Sequence, residues 1–141
     1  MRYFYVEPEV AGNFGEHIVL DTSTHPPIVH KLHYKFDGWL GDAILETFPC
    51  FIVTVDLSDA IEQTKLTGVR FASVEISTSE LFQGFYPGRQ LPSFRWMQVH
   101  GRAGAHDFGV SPQFILIVSA RALDLLRRFG LEHAEVRDYE A

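Results

Sequence analysis

The chain has 141 residues, 46% of them hydrophobic and 21% charged, with 12 Phe, 5 Tyr and 2 Trp. This composition can bury a core without staples and excludes a disordered chain, which would be poor in aromatics. The net charge of −6 argues against nucleic acid as a partner, because affinity there rests on phosphate neutralisation by Lys and Arg.

Several other classes are set aside early. The longest apolar runs, Phe51–Val53 and Phe114–Val118, fall far short of the ~20 residues of a membrane helix. Met1 to Pro8 carry neither the apolar stretch nor the cleavage site of a signal peptide. A single cysteine, Cys50, excludes an internal disulfide and a thiolate zinc cluster; its apolar neighbours point to a buried, inert thiol. The expectation is one cytoplasmic domain over residues 1–141, with no membrane association and no cofactor.

In chain order, Arg2–Val6 reads as a short aromatic strand and Glu16–Asp21 as a second. Pro26-Pro27 bars regular structure from the loop Thr22–Pro27. The β-branched and aromatic residues of Ile28–Phe36 predict a strand, closed by a turn at Asp37-Gly38. Leu40, Ile44 and Phe48 fall at helical spacing, so Trp39–Phe48 is predicted as a short helix stopped by Pro49.

A partial internal repeat follows. Phe51–Val55 is an apolar strand running into a helix, Ser58–Leu66, with Asp56 or Ser58 as cap, Gly68 as stop, and a strand at Val69–Ser77. Phe114–Val118 likewise runs into a helix, Ala120–Phe129, capped by Ser119, stopped by Gly130, and followed by a strand at Ala134–Tyr139. Between the copies lie a short helix in Thr78–Phe85, a turn at Tyr86-Pro87-Gly88, a strand at Phe94–His100 and a glycine-containing loop at Gly101–Ser111. Two such units predict an α+β domain with helices packed on a mixed sheet and a few short helices besides.

The chemistry-bearing residues form no established motif. His30 and His33 stand three apart, so on one strand they point to opposite faces; no metal site is expected from them. Neither a cysteine-hydrolase signature nor a Gly-x-Ser-x-Gly elbow occurs, and no phosphate-binding glycine fingerprint follows an apolar strand. No catalytic residue is assigned. From Leu81 to His106 there is no acidic residue. That stretch combines Arg89, Arg95 and Arg102, His100 and His106 with Phe85, Tyr86, Phe94 and Trp96, the residue types of interface hot spots. Its plain reading is aromatics in the core and arginines paired with acids elsewhere. Asp37, Asp42 and Glu46 gather around Trp39 as a complementary acidic patch.

The ending Ile117-Val118-Ser119-Ala120-Arg121-Ala122-Leu123-Asp124-Leu125-Leu126 with Gly130-Leu131 resembles the closing segment of several small bacterial families. Some of these are predicted immunity proteins of polymorphic toxin systems, and others are uncharacterised. Leu91-Pro92-Ser93-Phe94-Arg95-Trp96 is similar to their middle region. The resemblance covers residues from about Phe51 onward and implies a cytosolic protein without catalytic activity that binds and blocks a toxin made by the same cell. The expected anchors are Trp39 with Asp37 and Asp42, or Trp96 with Arg95. The alternative is a small enzyme or ligand-binding domain with a pocket around Arg89, Arg95, His100 and His106. A third reading is self-association through strand edges.

Overall fold

The computed structural model describes residues 2–140. Its elements run β1 (Tyr3–Glu7), β2 (Gly12–Phe14), β3 (Val19–Asp21), β4 (Ile28–Lys31), β5 (His33–Phe36), β6 (Ile44–Thr47), β7 (Cys50–Thr54), α1 (Val55–Gln63), β8 (Val69–Ala72), β9 (Glu75–Thr78), α2 (Glu80–Phe85), β10 (Phe94–Val99), β11 (Phe108–Val110), β12 (Leu116–Ser119), α3 (Ala120–Phe129) and β13 (Glu135–Tyr139). This is an α+β fold rich in strands.

A four-stranded sheet in the order β6-β7-β10-β8 has a core on each face. Along β7, Phe51 and Val53 enter one core while Cys50 and Ile52 enter the other; along β10, Met97 and Val99 go one way, Phe94 and Trp96 the other. The first core lies against α1, α3 and a second four-stranded sheet, β11-β12-β1-β13. The second lies against α2 and a three-stranded sheet, β2-β5-β9, in which β5 pairs parallel with β9. A hairpin of β3 and β4 stands beside them.

The two strand–helix–strand units have one topology. β6 and β7 form an antiparallel pair, α1 follows, and β10 lies between β7 and β8, antiparallel to both. β11 and β12 pair in the same way, α3 follows, and β1 lies between β12 and β13, antiparallel to both. The inserted strand follows its unit in the first case. In the second it comes from the start of the chain.

Several predicted boundaries change. Trp39–Phe48 is not a helix: residues 37–43 are irregular and Ile44–Thr47 is a strand. Ile44 faces the first core and Leu45 the second, so the strand is apolar on both sides and shows no period-two signal. Ile28–Phe36 and Val69–Ser77 each divide into two strands that join different sheets. α1 is capped by Thr54, whose side chain accepts from the Leu57 N–H, and it ends at Gln63, before Gly68. Ser119 caps α3 as expected, accepting from the Ala122 N–H, and Gly130 ends it at φ 133°.

The predicted loop Gly101–Ser111 contains β11 and the most heavily bonded carboxylate of the molecule, Asp107. Arg121 grips it with two hydrogen bonds, Nε to Oδ1 (2.9 Å) and Nη2 to Oδ2 (2.8 Å). Ser119 Oγ donates to Oδ1 (2.7 Å), and the Thr67 N–H donates to Oδ2 (2.9 Å). Thr67 follows α1, whereas Ser119 and Arg121 open α3, so this group fastens the two units together. Burial alone would raise its pKa, but the bonds from Arg121, Thr67 and Ser119 outweigh burial and hold the carboxyl far below the usual range.

Because the folded-state pKa lies below the unfolded one, this contribution is complete above the ordinary carboxyl value of ~3.9. It fades as pH falls toward the depressed folded value. Asp107→Asn should therefore lower unfolding free energy by about 1–3 kcal/mol at neutral pH. In urea titrations the gap to wild type should stay level between about pH 5 and pH 8 and narrow in acid. A gap that widens below the carboxyl range would contradict this account.

Candidate functional site: the face around Trp39

The segment after β5 is shaped by its backbone. The N–H groups of Asp37 and Gly38 both donate to the Ala11 carbonyl, at 2.8 and 3.2 Å, and turn the chain away from the sheet. The Trp39 indole Nε1 donates to the Asp42 carbonyl (3.0 Å), and the Leu40 N–H donates to Glu9 Oε2 (2.8 Å). One edge of the Trp39 ring meets Phe94 at 6.1 Å between centroids. Its face is covered by the Arg89 guanidinium, 5.0 Å from the ring centroid and 5.4 Å from that of Tyr86. Arg89 Nη1 also donates to the Trp39 carbonyl (2.8 Å). An arginine held between two aromatic rings and a carbonyl combines cation–π attraction with a fixed geometry.

Trp39 forms a wall shared by two open grooves. One, of about 340 Å³, is lined by Val10, Asn13, Asp37, Leu40 and Tyr86 among others. The other, of about 440 Å³, lies over the start of α1 and reaches Phe129. The surroundings expose apolar side chains: Leu40 is 60% exposed, Val10 65%, and Phe85, next to Tyr86 at the end of α2, 71%. Leu81, one turn before Phe85, is exposed as well. Exposed apolar side chains beside an aromatic–arginine stack are a usual composition of a binding surface.

The other predicted site residues are scattered. Asp37 sits on the rim of the first groove and accepts from Asn13 Nδ2 (3.3 Å). Asp42 is buried rather than displayed: its carboxylate accepts the N–H groups of Glu132 (3.0 Å) and His133 (2.8 Å). Trp96 is 9% exposed and packs in the second core. It is therefore a core residue, correcting the expectation of an anchor there. Arg95 reaches Glu62 (3.4 Å) and Asp59 (3.7 Å) on α1. His100 lies just past the end of β10, five residues and so about 16 Å along the chain from Arg95. His106 accepts the Arg102 N–H on Nδ1 (2.9 Å) within its own loop. Arg89, Arg95, His100 and His106 thus belong to three separate neighbourhoods and line no common pocket.

Two polar clusters escaped the sequence reading. His33 is fully buried: its Nδ1 accepts the His17 N–H (3.1 Å), and its Nε2 faces Ser77 Oγ at 2.7 Å. Glu75 binds His17 Nδ1 (2.7 Å) and Lys31 (3.1 Å) nearby. Because Nδ1 accepts, the neutral ring must carry its proton on Nε2, which donates to Ser77. That tautomer offers neither a lone pair to a metal nor a base to the serine, so His33 is a structural histidine. The second cluster joins Glu9, Asp42 and His133, beneath the Trp39 segment. No local pattern could have revealed either, since the partners come from distant segments and only the fold brings them together. Burial pushes the Cys50 thiol up to about 12, in keeping with an unreactive side chain.

No helix among the described residues is long and apolar enough to cross a membrane. No family model, curated protein or solved structure matches the chain significantly.

The imidazole of His33 leaves no room beside Gly15, where an added Cβ would lie 2.3 Å from the ring. With the ring bonded at both nitrogens it cannot move aside. Gly15→Ala should cost about 1–3 kcal/mol of unfolding free energy, read from a shifted urea midpoint. An unchanged midpoint would mean that the ring is free to move.

Proposed function

We propose that the chain is a protein-binding module without catalysis, acting in the cytoplasm as an immunity-type inhibitor of a toxin. The observation that carries this reading is the face just described. Arg89 is held between the Trp39 and Tyr86 rings, the exposed side chains of Val10 and Leu40 line the groove beside them, and Leu81 and Phe85 are exposed on the adjoining α2. Burying such side chains against a partner removes apolar surface from water, and a preorganised arginine–aromatic centre loses little conformational freedom on docking. The partner this face suits has an apolar ridge flanked by basic side chains, which would meet Asp37 at the groove rim and the chain's net charge of −6. Such complementarity raises association rate and specificity more than affinity. The dispersal of the four residues that an enzyme-like pocket would have needed supports the same reading.

The test uses a photo-crosslinking residue placed at Leu40, at Phe85, or at Arg127 on α3, in cells that make the native partner. One protein should crosslink from positions 40 and 85 and not from 127. Expressed alone it should arrest growth, and co-expression of this chain should relieve that arrest. Leu40→Asp and Phe85→Asp should each weaken the complex by roughly thirtyfold or more, equivalent to about 2 kcal/mol at a hot spot, with melting temperatures close to wild type. A partner that is harmless on its own, or one that crosslinks equally from position 127, would refute the proposal.

A further inference from the structure

Glu9, Asp42 and His133 lie on three segments far apart in sequence: the stretch after β1, the irregular segment before β6, and the turn between α3 and β13. The fold brings one ligating atom of each within 4.8 Å of the others. Both carboxylates are withdrawn from water, Glu9 being 8% exposed and Asp42 2%. Glu9 Oε2 receives the Leu40 N–H, but Oε1 is buried and receives no hydrogen bond from any of the described residues. Asp42 Oδ1 receives the Glu132 N–H and lies 3.1 Å from His133 Nδ1, while Oδ2 receives the His133 N–H. No Lys or Arg among the described residues forms an ion pair with either carboxylate; the only ionisable partner is the part-exposed His133 ring, paired with Asp42.

Two carboxylates placed together without a strong cation should repel, and a buried oxygen without a donor is costly. Native proteins rarely leave such an atom unexplained. The surrounding backbone N–H groups from Leu40, Glu132 and His133 hold the carboxylates in place, as the outer shell of a metal site does. The separation of His133 Nδ1 and Asp42 Oδ1 is close to the edge of a tetrahedron with bonds of ~2.1 Å, about 3.4 Å.

We infer that Glu9, Asp42 and His133 form a binding site for a divalent transition-metal cation, with Zn²⁺ the best match to one imidazole and two carboxylates. The imidazole selects against Ca²⁺ and Mg²⁺, which favour oxygen ligands alone. The dication balances the two carboxylates and supplies the partner that Glu9 Oε1 lacks. His133 binds through Nδ1 with its proton on Nε2, at the part-exposed side of the ring, and water completes the coordination. Because Asp42 also receives the Trp39 indole through its carbonyl and Glu9 receives Leu40, the ion draws the Trp39–Leu40 segment onto β1 and the turn before β13. The inference stands independently of the toxin-binding reading.

Full-length protein stripped with a chelator and dialysed is titrated with ZnCl₂, and separately with MgCl₂, in a calorimeter and in thermal melts. One Zn²⁺ should bind per chain and raise the melting temperature by several degrees, whereas Mg²⁺ should do neither. Glu9→Gln and His133→Gln should each weaken Zn²⁺ binding at least tenfold. The His133 variant guards against misfolding of the Glu9 one, since its ring is part-exposed. His17→Gln, in the other histidine cluster, should bind as wild type does. The inference fails if wild type shows no Zn²⁺ binding, as when water alone fills the site. It also fails if the Glu9 and His133 variants bind undiminished, or if His17→Gln abolishes the effect.

Discussion

The fold depends on a central sheet that must satisfy two cores at once. Every inward position of β7 and β10 is committed to one side or the other: Phe51, Val53 and Met97 to the helices, Cys50, Ile52, Phe94 and Trp96 to the aromatic cluster around Tyr34 and Phe36. Both faces of its two central strands are largely covered, and Arg95 and Gln98 of β10 reach water only part-way. Function is therefore pushed to the segments that leave the sheet and turn outward, and the stretch between β5 and β6 is the most elaborate of them.

The same constraint decides what could be read from sequence. The helix of the second unit is legible residue by residue because α3 is half exposed. Ala122, Leu123, Leu126 and the capping Ser119 face inward, while Arg121, Asp124, Arg127 and Arg128 face water, which is the contrast that periodicity detects. The segment Ile44–Thr47 was misread because burial on both sides erases that contrast. Trp96 was misjudged for a related reason: β10 mixes polar and apolar residues on each face, yet its polar members Arg95 and Gln98 reach the sheet's periphery while Trp96 stays inside. Trp39 and Arg89 were named as candidates from residue type alone. Their contact spans 50 positions, and nothing local encodes it. The Asp107 network is invisible in the sequence because its segment reads as a glycine-containing loop, and its partners lie on other elements.

Electrostatics separates the buried acids into two kinds. Asp107 is saturated with donors, which hold its carboxyl well below the usual range against the opposing effect of burial. Glu46, in β6, lies half-buried, and burial together with the nearby Glu7 pushes its carboxyl up to about 7. Glu9 is shifted the same way, by burial first and by Asp42 as well, against the pull of the Leu40 N–H. The strained acids both lie on the side of the molecule that carries the Trp39 segment: Glu46 donates its N–H to the Glu9 carbonyl (2.9 Å).

The matching topology of the two units hides a difference in timing. β6, β7, α1, β8 and β10 all fall within residues 44–99, with only β9 and α2 between them, so the first unit can assemble as soon as that stretch of chain has been made. The second unit cannot, because its central strand is β1, which leaves the ribosome well before both neighbours, β12 and β13, and must wait for them. In the interval β1 presents two bare edges carrying Tyr3, Phe4, Tyr5 and Val6, a short sticky segment of the kind that invites mispairing. Closing the ring of the chain therefore falls to the last strand, and a nascent protein stalled before β13 would hold one finished half and one half open along the length of its central strand.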